Sequence, residues 1–216
     1  MLELKNIYKT FNPGTINEKV ALNGLNLTLN EGDFVTVIGG NGAGKSTMLN
    51  AVAGTWMVDE GQIIIDGVDV TKLSEHKRAA YLGRVFQDPM TALNPVFTVG
   101  YQIEEMLREH KKGLTKAQYK AEAIEDLADM GIPAPEIRYG EYPHQFSGGM
   151  RQRSMIAMGM SCEPKILLAD EPTTALDVTI SAQIFDLMNE LKEKHGTAIM
   201  MITHNMGVVA EMADEV

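Results

Sequence analysis

The sequence predicts an α/β fold. It has a mostly parallel sheet flanked by helices, an antiparallel β region near the N-terminus and an inserted helical lobe. Three observations carry this expectation. Short apolar runs of strand length occur at 34–38, 63–65, 166–169 and 198–202. All but the second are followed by turn residues and then a helical pattern, the alternation that builds a parallel sheet covered by helices. The stretch from about residue 88 to 161 reads as mostly helical and lies between two strand-rich parts.

The elements follow in order. The run 34–38 is a strand, and 48–53 is an apolar-patterned helix. After the run 63–65, Asp66-Gly67 with Val68 and Val70 beyond it is a hairpin signal, which places antiparallel strands early in the chain. Thr98 starts a helix carrying Ile103, Met106 and Leu107. Thr115 and Gln118 form a capping box for a helix with Ile124, Leu127 and Ala128 on one face, and Gly131 stops it. Asp177 caps a long helix whose Ile180, Ile184, Leu187 and Leu191 make an apolar stripe ending near Gly196. The expected organisation is one domain. Residues 1–87 and 162–216 form the α/β core, and 88–161 form the helical lobe.

Composition narrows the function. The chain has 216 residues, 19 Lys plus Arg against 29 Asp plus Glu, and a net charge of −10. That balance argues against broad binding to a nucleic-acid backbone. The single cysteine, Cys162, excludes an internal disulfide framework or a cysteine-cluster metal site, and fits a reducing compartment. No window is apolar for long enough to span a bilayer, and residues 1–5 lack a signal-peptide pattern. The reading is a cytosolic protein. Fifteen methionines are unusual. They read as core filling, with an adaptable contact surface around residues 150–160 as the alternative.

Gly39-Gly40-Asn41-Gly42-Ala43-Gly44-Lys45-Ser46 matches the phosphate-loop pattern G-x-x-x-x-G-K-[ST], between a strand and a helix as that motif requires. Glycines let successive N–H groups face an anion, and the new helix adds its positive end. Lys45 is expected on the β/γ-phosphates, the Ser46 hydroxyl on Mg²⁺, and Thr47 on the α-phosphate. The strand 166–169 ends in Asp170-Glu171. Neighbouring residues of a strand point to opposite faces, so the pair is not expected to chelate one ion together. Asp170 is assigned to Mg²⁺ through water, and Glu171 to polarising the attacking water.

At Phe146-Ser147-Gly148-Gly149-Met150-Arg151-Gln152-Arg153 the chain resembles the ATP-binding cassette (ABC) ATPases, in which a Ser-Gly-Gly signature opens a helix. Ser147 suits the N-cap, and Gly148 and Gly149 leave backbone N–H groups open to a phosphate. The resemblance covers nearly the whole chain and implies further roles. Gln87 matches the Q-loop, which reaches the metal and links nucleotide to the helical lobe. Ala175-Leu176-Asp177 matches the D-loop, which puts Asp177 among the nucleotide contacts. His204 matches the switch histidine on the γ-phosphate. Phe11 matches the aromatic that stacks on adenine, with Tyr8 as its rival. Catalysis then rests on Lys45, Gln87, Glu171 and His204. Two cassettes, identical or different, are implied to join head to tail, with the Lys45 loop of one and the Ser147 signature of the other enclosing each ATP. Transmembrane permease subunits complete the assembly. The expected location is the inner face of the cell membrane, reached only through the permease.

The two halves resemble different relatives. From Phe86-Gln87-Asp88-Pro89-Met90 onward the text is similar to oligopeptide and dipeptide importer cassettes. The stretches at 93–98, 142–146 and 170–179 carry that likeness. Peptide-importer cassettes usually have Glu-Ser-Gly-Ser-Gly where this chain has Gly40-Asn41-Gly42-Ala43-Gly44, and 53–56 through 83–85 resembles other importer cassettes. Two readings follow: a mosaic joined near 86–90, or natural variation. Relatives also continue past the segment like 210–216, so this cassette reads as C-terminally short, with an exposed sheet edge or a weakened dimer as the expected consequence. Peptide import powered by ATP hydrolysis is the leading function. The alternative is an engineered or chimeric scaffold that folds and binds nucleotide with little turnover.

Overall fold

Strands β7 (Ile166–Asp170) and β8 (Ala198–Ile202) are buried almost throughout, and successive residues feed opposite cores. Leu167, Ala169, Ile199 and Met201 enter one core; Ile166, Leu168, Ala198, Met200 and Ile202 enter the other. A strand with two dry faces must be apolar without interruption, which is why these runs are readable in the sequence. The computed structural model describes residues 1–174, 176–204, 207 and 214.

The parallel sheet has the order β3-β8-β7-β6, with β3 at Phe34–Val37 and β6 at Leu82–Val85. Its register pairs Val37 with Ile202 and Asp170 with Ile202, so the C-terminal ends of the strands line up. A second, antiparallel sheet has the order β2-β1-β4-β5. Its strands are β1 (Leu2–Phe11), β2 (Lys19–Leu29), β4 (Glu60–Ile65) and β5 (Val68–Asp69). The β4–β5 hairpin turns at Asp66 and Gly67, both with positive φ (50° and 78°), as its tight turn demands.

Helix α1 (Lys45–Ala53) packs Met48, Leu49 and Val52 into the core between the two sheets. The other face of the parallel sheet is covered by α4 (Val99–His110), α5 (Lys116–Asp129), α7 (Gly148–Met160) and α8 (Val178–His195). Three shorter helices, α2 (Glu75–Arg78), α3 (Pro89–Ala92) and α6 (Pro135–Arg138), are also present among the described residues. Val99, Ile103, Leu107 and Leu127 of the helical stretch share one apolar cluster with Phe34, Leu167 and Ile199 of the sheet. Thr98 accepts a hydrogen bond from the Tyr101 N–H, and Thr115 forms the expected capping box with Gln118. Asp177 sits at the N-cap of α8 as the sequence suggests, yet its side chain makes no cap hydrogen bond.

The 48–53 helix begins earlier than expected, at Lys45, because Gly44 is its N-cap. The antiparallel region near the N-terminus is present as expected, and its two longest strands, 2–11 and 19–29, are not among the apolar runs the sequence marks. Residues 210–213, 215 and 216 of the proposed short C-terminus lie outside the described residues. Asp214 is described: its backbone N–H donates to the Phe34 carbonyl and its Oδ2 accepts from the Phe34 N–H, both at 2.8 Å. Those two backbone groups of edge strand β3 are therefore satisfied.

The far end of α1 is held by a buried charge. Arg78 is fully buried, and its guanidinium donates to the carbonyls of Ala51 (2.6 Å), Val52 (2.9 Å), Leu73 (3.0 Å) and Thr71 (2.9 Å). The carbonyls at the end of a helix carry partial negative charge and compensate the cation by direct contact, while Asp69 acts on it as a nearby carboxylate. Gly54 must be glycine here, since its φ is 85° and a Cβ would stand 2.7 Å from Arg78 Nε. Replacing Arg78 with Met removes the donor from four carbonyls, two of them at the buried end of α1, where Ala51 keeps the Gly54 N–H (3.3 Å) and Val52 loses its side-chain partner. The Arg78→Met protein is expected to lose roughly 3 kcal/mol of stability in urea denaturation, with an unchanged m-value.

Candidate functional site

The phosphate loop links β3 to α1 through residues with backbone angles that suit glycine. Gly39, Gly42 and Gly44 have φ of 150°, 82° and 93°. At Gly44 a Cβ would also collide with the Ala21 carbonyl of β2, so a side chain is excluded on two counts. The loop closes on itself through the Ala43 N–H donating to the Gly40 carbonyl (3.2 Å), and α1 opens with Met48 N–H on the Gly44 carbonyl (2.8 Å). Lys45 Nζ rests on the carbonyls of Gly39 (2.6 Å) and Gly40 (3.1 Å). Asn41, Gly42, Ala43 and Ser46 line the open side of the loop; Thr47 is buried behind them.

Two carboxylates follow β7. Asp170 ends the strand and is half-buried. Its carboxyl is pushed above the usual range first by burial and then by the neighbouring Glu171, against the charges of Arg84 and Lys45. The pull from Lys45 ties this carboxylate to the phosphate loop. Glu171 leaves the strand with φ of 46°, an angle uncommon for a residue bearing a Cβ, and its N–H donates to the Ile202 carbonyl (3.0 Å). The turn swings its side chain into a nest of donors. Gln87 Nε2 (2.9 Å) and Thr174 Oγ1 (2.9 Å) donate to Oε2, while His204 Nε2 lies 2.9 Å from Oε1. Gln87 comes from the end of β6 and His204 from the end of β8, the strands on either side of β7. Three residues far apart in sequence therefore meet at one carboxylate. Thr174 is a fourth member that sequence reasoning passed over; only its place three residues after Glu171 hints at it.

The Ser-Gly-Gly segment stands elsewhere. Ser147 caps α7, its Oγ accepting from the Met150 N–H at 3.3 Å. A Cβ on Gly148 would lie 3.5 Å from Leu176, and one on Gly149 would lie 2.9 Å from Ile180. The segment thus packs against the turn before α8, where Asp177 sits; Ala175 of that turn lies outside the described residues. Phe11 meets Trp56 edge-on, with ring centroids 5.0 Å apart, and Lys9 lies 5.7 Å over its face. Tyr8 leans on Gly24, where a Cβ would stand 2.9 Å from its hydroxyl. A cleft of about 650 Å³ lies between Glu171, Thr174, Leu176, Ser181 and His204.

A strand–glycine loop–helix unit, with two carboxylates at the end of β7, a parallel strand of the same sheet one place beyond β8, defines a phosphate-loop nucleotide-binding protein. The chain belongs to the ABC transporter family, whose model matches residues 22–174. It is 44% identical to the oligopeptide transport ATP-binding protein OppD of Bacillus subtilis, over 100% of this chain and 62% of that protein. It is 45% identical to OppD of Haemophilus influenzae, over 100% of this chain and 68% of the relative. The chain thus spans roughly two thirds of these relatives' length. The dimeric structure of MJ0796, a bacterial ABC transporter cassette, superposes with a TM-score of 0.84 at 32% identity, covering 97% of this chain and 90% of that one. CbiO1 of Clostridium perfringens, part of the transporter complex cbiONQ, gives 0.84 at 27% identity, over 99% of this chain and 82% of that one. The ABC fold expected from the sequence is borne out. The two-parent reading and its engineered-scaffold alternative draw no support, since single peptide-importer relatives align with the whole chain, first half included.

Gly44 offers a test of the loop's geometry. In Gly44→Ala the added Cβ faces both a left-handed backbone and the Ala21 carbonyl. The expected cost is about 2–4 kcal/mol, read as a lower thermal midpoint, together with loss of nucleotide binding.

Proposed function

We propose that this chain is the ATP-binding and hydrolysing subunit of an ABC importer of peptides. The observation that carries the reading is Glu171, held by Gln87, Thr174 and His204 at the strand ends beside the phosphate loop. A carboxylate fixed by several donors, next to an anion cradle, suits the orientation of a water molecule for attack on phosphorus.

The residues divide the work. The N–H groups of Gly39 to Ser46 cradle the phosphates, and Lys45 exchanges its contacts with the loop carbonyls for the β- and γ-phosphates. Thr47 donates to the α-phosphate and Phe11 stacks on adenine; the edge contact with Trp56 supports the ring. Ser46, Gln87 and Asp170 would hold Mg²⁺. Among the described residues no group of three or more His, Cys, Asp or Glu could hold a metal. The raised Asp170 carboxyl fits a neighbouring cation, which would relieve its repulsion from Glu171. A cation held there would supply neutralisation of the phosphate charge. Glu171 polarises the attacking water, and His204 reaches the γ-phosphate.

The other half of the site would come from a second cassette. Helix α1, behind the phosphate loop, and α7, behind Ser147, are built into different cores on opposite faces of the parallel sheet. One chain is then unsuited to bring both helix ends onto one triphosphate. A head-to-tail pair puts Ser147, Gly148, Gly149 and Asp177 of one copy over the loop of the other. This accords with the dimeric MJ0796 cassette.

Among the described residues no helix is long and apolar enough to cross a membrane. The permease contact would be the apolar groove of about 180 Å³ between the sheet and residues 88–161, lined by Phe86, Leu93, Met106, Met155 and Met158. A short permease helix suits it, since methionine side chains adapt to the surface they meet. We place the subunit at the cytoplasmic face, attached through that permease, with residues 88–161 as the lobe that meets it. Peptide as cargo rests on the names of the relatives.

Glu171→Gln tests the reading. The variant is expected to lose ATP turnover by at least about 100-fold while still binding ATP, and to elute as a dimer in size exclusion only with Mg-ATP. Wild-type turnover should rise faster than linearly with protein concentration. Equal turnover in the variant and wild type overturns the assignment.

A further inference from the structure

Lys19 opens β2, directly across from Phe11 in the β1–β2 register. The same strand brings the Ala21 carbonyl and the Leu22 side chain against Gly44, so β2 forms a wall of the phosphate loop. Lys19 reaches over that wall: a Cβ placed on Gly42 would stand 3.6 Å from its Nζ. The side chain is exposed, and among the described residues its ammonium makes no ion pair or hydrogen bond. Nearby charges are engaged. Lys9 is paired with Asp59 at 2.8 Å, Glu18 accepts from the Gly14 N–H at 2.5 Å, and Lys45 lies on the loop carbonyls. In a chain of net charge −10, this is an uncompensated cation aimed at an anion cradle.

We infer that Lys19 is a second phosphate-binding lysine, which donates to the α- and β-phosphates of the bound nucleotide. The inference rests on the nucleotide reading above. Its placement decides which phosphates it meets. Phe11 lies across the hairpin from it, and Gly42 lies at its tip, so the ammonium sits between the adenine platform and the loop. A nucleotide laid from Phe11 to Lys45 passes its adenine-proximal phosphates beneath that ammonium. Lysine serves here as a point charge on a flexible stem, suited to a phosphate oxygen that the rigid loop leaves facing solvent. Neither the glycine pattern nor the signature segment reveals it. Lys19 belongs to the antiparallel sheet, well ahead of the loop in sequence, and only the course of β2 past Gly44 brings it over Gly42.

The test is displacement of a fluorescent ATP analogue by ATP, ADP and adenosine in wild type, Lys19→Met, Lys19→Arg and Lys45→Ala. Removing Lys19 is expected to weaken ATP and ADP alike, by about three- to tenfold for an exposed charge–phosphate contact. Adenosine should be unaffected, Lys19→Arg should restore most of the loss, and added salt should narrow the gap. Unchanged ATP and ADP affinity, or an equal loss for adenosine, overturns the inference. A loss confined to ATP puts the ammonium on the γ-phosphate and overturns the assignment to α and β. If wild type fails to bind ATP, or Lys45→Ala binds as well as wild type, the nucleotide reading itself falls.

Discussion

A parallel sheet buried on both faces governs this structure. Because β7 and β8 are apolar on each side, both faces must be covered, one by α1 with the antiparallel sheet and the other by helices that include α7, so α1 and α7 are driven to opposite faces. In β7 and β8 the polar groups are then confined to the strand ends. The C-terminal ends of β3, β6, β7 and β8 deliver the phosphate loop, Gln87, Asp170-Glu171 and His204 to one rim. Such a rim is where parallel sheets of this class bind ligands, since loops there lie beside helix N-termini. The proposed division of an ATP site between two chains grows from the same constraint.

The electrostatics of the rim are unbalanced in a way that suits a magnesium–nucleotide ligand. Asp170 and Glu171 stand side by side, and the first is held above its ordinary carboxylate range by burial and by its neighbour. Opposite them, Lys45 lies on two carbonyls of its own loop. On the proposed function, a polyphosphate with its cation would answer both halves at once, the anion meeting the lysine and the cation the aspartate. Glu171 is treated differently. Its three partners can each donate to it, so it is oriented before any ligand arrives, which is the arrangement expected of a group that must position a water.

Much of this was legible in the sequence because its signals are local. The phosphate loop is eight consecutive residues, the capping box at Thr115 needs only Gln118, and the runs at 166–169 and 198–202 are continuous. The hairpin at Asp66-Gly67 announces itself in two residues. Contacts made across the sheet were not legible. Arg78 reads as an ordinary surface arginine until its guanidinium is seen closing α1 from 26 and 27 positions away. Thr174 gains its meaning only from where Glu171 turns, and that turn depends on a positive φ that no residue type announces. Strands β1 and β2 pair through several register shifts, which blurs the alternation that would mark them. The methionines resist a single reading for a physical reason. Met155 is buried in the core and also lines the groove, so filling and adaptability are two faces of one side chain.

The groove and the rim are joined by β6. Arg84 near its end donates to Asn50 (2.7 Å) and Thr55 (3.2 Å), tying the strand to α1 and to the turn that follows it. Phe86, just past the end of the strand, lines the groove and stacks beneath the Arg84 guanidinium at 4.6 Å. Gln87 then reaches Glu171. A body pressed into the groove would bear on Phe86, and the adjacent Gln87 holds Glu171, the carboxylate proposed to orient water. Packed interiors transmit small shifts because they cannot absorb them. On the proposed function, the permease contact at Phe86 and the hydrolytic site held by Gln87 would be one peptide bond apart, and coupling between them would require no longer path.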